Sequence, residues 1–559
     1  RSVPLLIRHP HDPEDFSLVL WNGTGSDYIG FRLLKIMAAE YGADAVDMGA
    51  GPWQPKPLTD ESRAGLARML NFLAAADVRA LPYISRIWPE KIDGQTLSRD
   101  PCLSDPAYRT SLNAAVRERA LICRDYAPVG YTLGDECFVD ANRDVCFSEH
   151  CRADFGRFLQ ARHHTDARLQ EAWGAGDLGL TSALKLRRRD AREQGRPAAW
   201  VDHRLHMEER FADVIELGSA AIRQVAPDSR VGFDGALSSG SYTGYDWWRL
   251  SRTMDVWNTY WQRDQHLAMR SFAQPKSISG LWYGGYVYGP AGREHAQGVR
   301  WLPWYSLAHR MTGAWFYSPY ASAGGSGEVG FQPDFRPFAC WSESVREITE
   351  IKRGVGKLIL TSEPYPAQVG VVYSPASIHA ASFHKLPGHT EALNAAADIL
   401  EDLCVPFELI AADDLANGAL AGKPYRALWL PVACALSEKA TSAVERFCRR
   451  GGLVVADVAP GAFTESGAVP PRGRLDDLFG LHRSSPPDLK PAIGGVDGFL
   501  PMTALDHSVE SRDGTSVAHP DGGPVFIGRS VGRGRAFLFN CTLDSYGDMR
   551  GPMGRGVRD

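Results

Sequence analysis

The sequence of 559 residues predicts an α/β protein: a (β/α)8 TIM barrel, then a flavodoxin-like α/β domain and a small β domain. Two observations predict the barrel. Short apolar runs alternate with amphipathic helical stretches, which implies parallel strands joined by helical crossovers. About eight such units within the first 350 residues or so suit a barrel that carries insertions.

The eight strand-like runs are short and apolar, and segments of helical length separate them. In chain order they are FSLVLW (16–21), ADAVDMG (43–49), VRALPYISRIW (78–88), VGYTLGDE (129–136), SRVGFDGAL (229–237), TMDVWNTYW (253–261), SISGLWYGGY (277–286) and TGAWFYSPY (312–320). A strongly amphipathic stretch over 106–127 predicts a long helix before the fourth run.

Three further segments complete the domain prediction. Residues 139–210 are polar and helical and include the basic run LKLRRRDAREQGR, which predicts an insertion after the fourth strand with a solvated surface. The composition of the sequence changes after residue 355, which predicts that the barrel domain covers 1–355. A new βα rhythm predicts the flavodoxin-like domain over 365–475, and turn-rich, strand-like sequence predicts the small β domain over 480–559.

Charge and hydropathy exclude several partners. A net charge of −5 gives no electrostatic reason to expect nucleic acid or an anionic membrane. No apolar run approaches the roughly 20 residues of a membrane helix. The first residues do not have the pattern of a signal peptide. The location therefore stays open: cytoplasmic, or periplasmic or secreted if a leader was removed.

Acidic residues follow several of the predicted strands. In a (β/α)8 barrel the active site lies at the C-terminal ends of the strands, and there the sequence has Asp47, Asp135, Glu136, Asp234 and, just beyond, Asp246. Glycoside hydrolysis needs two carboxyl groups, one to protonate the leaving oxygen and one to attack or to activate water. The alternatives are a solvated loop or ion pair for Glu136 and helix caps or salt bridges for the aspartates.

Aromatic residues are abundant, with 15 Trp and 19 Tyr, and they cluster between residues 242 and 320. Such rings stack on sugar faces while their polar edges bind hydroxyls, although a core rich in aromatics is the alternative for any one of them. The candidates for sugar stacking are Trp21, Trp257, Trp282 and Tyr317. Arg86 and Tyr260 are the candidates for orienting hydroxyls.

The stretch PCLSDPAYRTSLNAAVRERALICRDYAPVGYTLGDE resembles the third-to-fourth strand region of glycoside hydrolase family 42, the β-galactosidase group. In that family a strand ends in Asn-Glu, and the Glu is the general acid/base. Glu136 stands at its position. The stretches VGVVYSP and YRALWLPVACALSEKATSAVERFCRRGGLVVAD are similar to the family's trimerisation domain. The resemblance implies a homotrimer.

Two departures from the family pattern concern the active site. The family's Asn is Asp135 here, a residue that would contact the sugar. The family's nucleophile is a Glu at the tip of the seventh strand, but GLWYGGYVYG (280–289) contains no acid. Asp234, Asp246 and Glu294 are therefore the candidates for the second catalytic carboxylate, with an inverting reaction or a role for Tyr283 or Tyr286 as alternatives.

Four of the ten cysteines lie close together in the chain: Cys102, Cys137, Cys146 and Cys151. Some family-42 enzymes hold a structural zinc through one Cys before the fourth strand and three after the acid/base, and these four match that order. The resemblance thus implies a zinc site, in which His150 could replace one thiol. Free buried thiols and a disulfide are the alternatives.

The predicted function is hydrolysis of a terminal sugar from an oligosaccharide or glycoside, as in a β-galactosidase, with Glu136 as general acid/base and no cofactor needed for catalysis. A polysaccharide lyase and a carbohydrate-binding protein without activity are the alternatives. The basic run LKLRRRD would suit a polyanionic sugar, but a solvated surface explains it as well.

Overall fold

The computed structural model describes residues 11–21, 28–284, 299–317, 331, 336–491, 504–519 and 522–549. Eight parallel strands close into a barrel in which each strand pairs with its neighbours in the chain and β1 pairs with β8. The strands are β1 (Ser17–Trp21), β2 (Ala45–Gly49), β3 (Arg79–Tyr83), β4 (Tyr131–Asp135), β5 (Val231–Ala236), β6 (Val256–Thr259), β7 (Ile278–Gly284) and β8 (Gly313–Tyr317). The predicted (β/α)8 barrel is confirmed.

Helices surround the barrel strands. They are α1 (Tyr28–Tyr41), α2 (Asp60–Ala75), α3 (Pro106–Cys123), α4 (Glu149–His163), α5 (Asp166–Trp173), α6 (Arg188–Glu193), α7 (Pro197–Arg223), α8 (Trp247–Leu250), α9 (Arg263–Phe272), α10 (Leu302–Ala308) and α11 (Ala339–Glu350). The long predicted helix is α3. It begins where Asp105 accepts a hydrogen bond from the amide of Ala107, with Pro106 at the first helical position.

Large side chains fill the interior of the barrel. Trp282 of β7 and Trp315 of β8 lie there, 2% exposed each, with ring centroids 5.6 Å apart. Gly280 makes room for them, since a Cβ at this position would lie 1.9 Å from the Trp315 ring. The interior is therefore closed below the C-terminal end of the strands, which we call the mouth of the barrel.

The second domain contains one mixed sheet. Its strands are β9 (Val369–Tyr373), β10 (Phe407–Ala411), β11 (Ala427–Leu430), β12 (Leu453–Ala456), β13 (Thr515–Ala518), β14 (Pro524–Val531) and β15 (Gly534–Phe539), in the order β10-β9-β11-β12-β15-β14-β13. Three strands of the segment predicted to form the small β domain, β13 to β15, thus continue the sheet, with β15 parallel to β12, while its other described strands form two antiparallel pairs.

The helices of this part of the chain are α12 (Gly356–Thr361), α13 (Pro375–His384), α14 (His389–Asp402), α15 (Ala412–Ala416), α16 (Glu438–Arg449), α17 (Asp476–Phe479) and α18 (Tyr546–Met549). Within the described residues, no helix combines the length and the apolar character that crossing a membrane requires.

The basic run is solvated only in part: Arg189 is 76% exposed, whereas other side chains of the run contact the second domain. Arg188 and Arg192 donate to the carbonyl oxygens of Ser382 and Phe383, in the last turn of α13. Those carbonyls have no partner within their own helix, so arginine donors satisfy them. Lys185 of the same run is 8% exposed. These side chains join the insertion to the second domain.

Candidate active site at the mouth of the barrel

Glu136 follows the last residue of β4 and faces the mouth, with its side chain 45% exposed. The backbone turns sharply to place it there. Gly134 has φ +125°, and a Cβ at this position would lie 2.4 Å from the carbonyl oxygen of Ser85. Glu136 itself has φ +48°, an uncommon conformation for a residue with a side chain. Such local strain is typical of functional sites.

Two side chains hold the Glu136 carboxylate. Tyr260, just after β6, donates from its hydroxyl to Oε1 at 2.9 Å. Arg86, after β3, lies with one Nη 3.3 Å from Oε2. The same Arg86 donates from Nε to the carbonyl oxygen of Asp135 at 2.9 Å. The ion pair involves one nitrogen of Arg86, and Glu136 is exposed, so water screens the ion pair. The Glu136 carboxylate therefore remains accessible from the mouth.

Asp135 lies beside Glu136 in a more buried position. Its Oδ1 is 3.5 Å from the same Tyr260 hydroxyl. Burial, and then the charge of Glu136, raise the pKa of Asp135 to about 6. The structure thus brings Arg86, Asp135, Glu136 and Tyr260 together, as the sequence predicted.

Asp47 and Asp234 form a second carboxyl pair, deeper in the barrel. They are 1% and 0% exposed, and both oxygens of Asp234 and Oδ2 of Asp47 are buried without a hydrogen-bond partner among the described residues. Burial, together with the neighbouring charge, raises the pKa of both groups. Two buried carboxyl groups in contact are best satisfied by one shared proton. The structure therefore does not support Asp234 as a catalytic residue or Asp47 as a sugar contact.

Of the two other candidates for the second carboxylate, Asp246 is the one that the structure describes. Asp246 is the N-cap of α8, where it accepts from the amide of Arg249 at 3.2 Å, and it is 6% exposed. Asp246 is thus a helix cap, which was the alternative to a catalytic role. Glu294 lies outside the described residues, as does the side chain of Tyr283. The residues of β7 include no acid, as the sequence predicted.

The aromatic candidates divide by depth. Trp21 and Tyr317 are partly buried and lie together, with centroids 4.9 Å apart. Trp282 fills the barrel interior, as described above. Trp257 is 0% exposed and stacks on Trp247 of α8 at 5.4 Å, so it packs between strand and helix. The prediction that a sugar stacks on Trp257 or Trp282 is therefore wrong, because neither ring has a free face.

Sequence reasoning missed Trp53 and Trp88, which are 54% and 37% exposed. Arg86 lies between them, its Cζ 5.2 Å from the Trp53 ring centroid and 4.1 Å from that of Trp88. Each tryptophan follows a barrel strand within a few residues, in GPWQP and RIWPE. That position was the signal that could have identified them.

Three of the four predicted metal ligands lie together. The Sγ atoms of Cys102, Cys146 and Cys151 are buried and all within 4.8 Å of one another. Cys137 is elsewhere, its Sγ accepting from the amide of Ile87 at 3.3 Å. His150 instead lies 3.8 Å from Asp105 and is 55% exposed. Cys137 and His150 are therefore not ligands in this arrangement.

The surroundings of the three thiols fit a metal. Lys185 is buried, and its Nζ lies 3.1 Å from Cys151 Sγ. The partners that the structure gives its ammonium include no carboxylate: Cys146 O, Cys151 Sγ, His206 Nδ1 and Met207 Sδ. A buried ammonium needs a negative partner, and the thiolates of a zinc site supply one. The Ser148 hydroxyl donates to Cys102 Sγ at 3.0 Å and so places an oxygen atom beside the three thiols.

Comparison with known proteins supports the resemblance to glycoside hydrolase family 42. The model of that family, described as beta-galactosidase, matches residues 92–284 and so confirms the resemblance over the segment that contains Glu136. No curated protein sequence matches the chain.

Solved structures share the fold. The beta-galactosidase from Bacillus circulans sp. alkalophilus is 15% identical with a TM-score of 0.74, over 98% of this chain and 88% of that one. The cold-adapted beta-galactosidase from Rahnella sp. R3 is also 15% identical with a TM-score of 0.74, over 97% and 89%. The exo-beta-1,4-mannosidase Op5Man5 from Opitutaceae bacterium strain TAV5 is 13% identical with a TM-score of 0.59, over 99% and 98%. The chain thus has the fold of glycoside hydrolases.

Proposed function

We propose that this protein hydrolyses a terminal sugar, of the β-galactoside class, from an oligosaccharide or glycoside, with Glu136 as general acid/base. The observation that carries the proposal is the position of Glu136. It stands at the tip of β4, exposed to the mouth, with its two oxygens contacted by Tyr260 and Arg86. A carboxyl group fixed in this way can deliver a proton to a glycosidic oxygen.

Asp135 is the other carboxyl group that the described part of the mouth offers. Its Oδ1 and Oε1 of Glu136 both contact the Tyr260 hydroxyl, at 3.5 and 2.9 Å. Their nearest oxygens are therefore closer than the roughly 6.5–9.5 Å typical of inverting enzymes. The spacing suits Asp135 to a place beside the substrate and does not make it the partner carboxylate of an inverting pair.

A panel of 4-nitrophenyl glycosides, with the β-galactoside first, tests the proposal. We expect release of nitrophenol by the wild type, and loss of turnover with retained sugar binding in Glu136→Gln. A product of polysaccharide cleavage that absorbs in the ultraviolet would indicate a lyase instead. Undiminished turnover in Glu136→Gln would refute the role of Glu136.

The acid-free sequence of β7 favours a second candidate function, a carbohydrate-binding protein without catalysis. Calorimetric titration with galactosides distinguishes it: binding without turnover of any glycoside would support this candidate over the hydrolase.

We further propose that Cys102, Cys146 and Cys151 hold a structural zinc, which would join the segment after β3 to the segment after β4. We also propose a homotrimer, on the likeness of the second domain to the family-42 trimerisation domain. Light scattering of the purified protein would test the trimer, and a monomeric mass would refute it.

A further inference from the structure

We propose that Trp53 and Trp88 bind the leaving-group sugars of an oligosaccharide, on the side of Glu136 where Arg86 lies. This inference rests on the proposed function, because a leaving group exists only if a glycosidic bond is cleaved at Glu136. It adds two residues that follow β2 and β3 to a site otherwise built around β4 and β6.

The first support is distance. Arg86 contacts Glu136 Oε2 at 3.3 Å and lies with its Cζ 4.1 Å from the centroid of Trp88. A single guanidinium group thus separates the Trp88 ring from the proton donor. The glycosidic oxygen must lie against that donor, so a sugar attached through it comes within reach of Trp88.

The second support is exposure. Trp53 and Trp88 are 54% and 37% exposed, whereas Trp21 and Tyr317 are partly buried near the barrel interior. Exposed indole rings beside a candidate active site are costly unless a ligand or partner covers them. The deeper pair suits the terminal sugar, and the outer pair suits the rest of the chain, which extends into solvent.

The third support is rigidity. The Arg86 amide donates to the carbonyl oxygen of Trp53 at 3.1 Å, and Arg86 stacks against both rings. Trp88 also meets Phe138 edge to face, with centroids 6.0 Å apart. A pre-arranged aromatic surface costs little entropy on binding. The substrate class that follows is an oligosaccharide of at least three sugars, cleaved from the end that enters the mouth.

Two substrates separate this inference from the proposed function. β-Galactosyl fluoride has a leaving group too small to reach Trp88, and a galactose-terminated trisaccharide can reach both rings. For Trp53→Ala and Trp88→Ala, we expect the ratio of kcat/KM for the trisaccharide to that for the fluoride to fall about five- to tenfold, as the loss of one aromatic contact implies. Trp304→Ala is the matched control, because Trp304 is 38% exposed on α10 and its Nε1 donates to Glu347.

An unchanged ratio in both variants would overturn the inference while leaving hydrolysis intact. If the wild type hydrolyses neither substrate, the proposed function fails, and calorimetric titration of the trisaccharide still tests the surface. Weaker binding in both tryptophan variants would then show that the two rings contact sugar without cleavage, and unchanged binding would overturn the inference. A changed molecular mass with an unchanged ratio would show that the rings instead contact a second copy of the chain.

Discussion

Two pairs of carboxyl groups lie on the barrel strands, one at the tip of β4 and one within β2 and β5, and their surroundings differ sharply. Asp135 and Glu136 lie at the mouth, where Tyr260 and Arg86 contact them and water reaches Glu136. Asp47 and Asp234 are fully buried and contact each other. A strand-end acid therefore becomes a candidate for catalysis only when the chain turns its side chain toward solvent. The unusual φ of Glu136 produces that turn.

The largest expected effect separates the two pairs by activity. Glu136→Gln should lower kcat by about 10²–10⁴, because the proton donor is lost. Asp234→Asn should keep kcat within about threefold, because Asp234 is fully buried and an amide of the same size can occupy its place. Steady-state kinetics on one nitrophenyl glycoside checks both. A similar loss in both variants would mean that the buried pair takes part in the reaction.

The thiols of Cys102, Cys146 and Cys151 should bind a zinc ion. That ion should stabilise the chain segments next to Asp135 and Glu136. One zinc ion per chain is expected by elemental analysis. Cys146→Ser should lose it and unfold at a lower temperature, because a structural metal contributes directly to folding. Cys137→Ser and the exposed Cys404→Ser are the controls and should keep the metal. A full zinc content in Cys146→Ser would place the ion elsewhere.

The buried pair should make stability depend on pH. Burial raises the pKa of Asp234 and Asp47 above the unfolded value of about 3.9, so the folded state binds more protons. The free energy of unfolding should therefore fall as the pH rises from about 4 through the raised pKa. Asp234→Asn should flatten this fall, by about 1–3 kcal/mol at pH 8. Urea denaturation at several pH values measures it, and an equally steep fall in the variant would exclude the pair as its source.

The smallest expected effect concerns Asp135. Its pKa of about 6 predicts an ionisation near that pH in the profile of kcat/KM. Asp135→Asn should remove that inflection. If the profile of the variant keeps it, another group titrates there.

The barrel strands could be predicted from sequence because their apolar runs alternate with helical segments, and the predicted runs coincide with β1–β8. The burial of Asp234 could not be predicted, because it depends on neighbours from other strands that the sequence does not place. The packing of the Trp257 ring against Trp247 of α8 could not be predicted for the same reason, so the sequence suggested a ring that a sugar could reach. Cys137 matched a motif in order, but its Sγ turns toward Ile87 instead of the other thiols. Three-dimensional neighbours decide these cases.

The central claim is that Glu136 donates the proton to the leaving group, and its dependence on leaving-group acidity tests this most directly. In Glu136→Gln, kcat/KM for a glycoside with a weakly acidic phenol should fall by at least about 100-fold. The kcat/KM for the 2,4-dinitrophenyl glycoside, which reports departure of the leaving group, should fall by less than about tenfold, because its phenolate leaves without protonation. An equal loss for both glycosides would contradict the account.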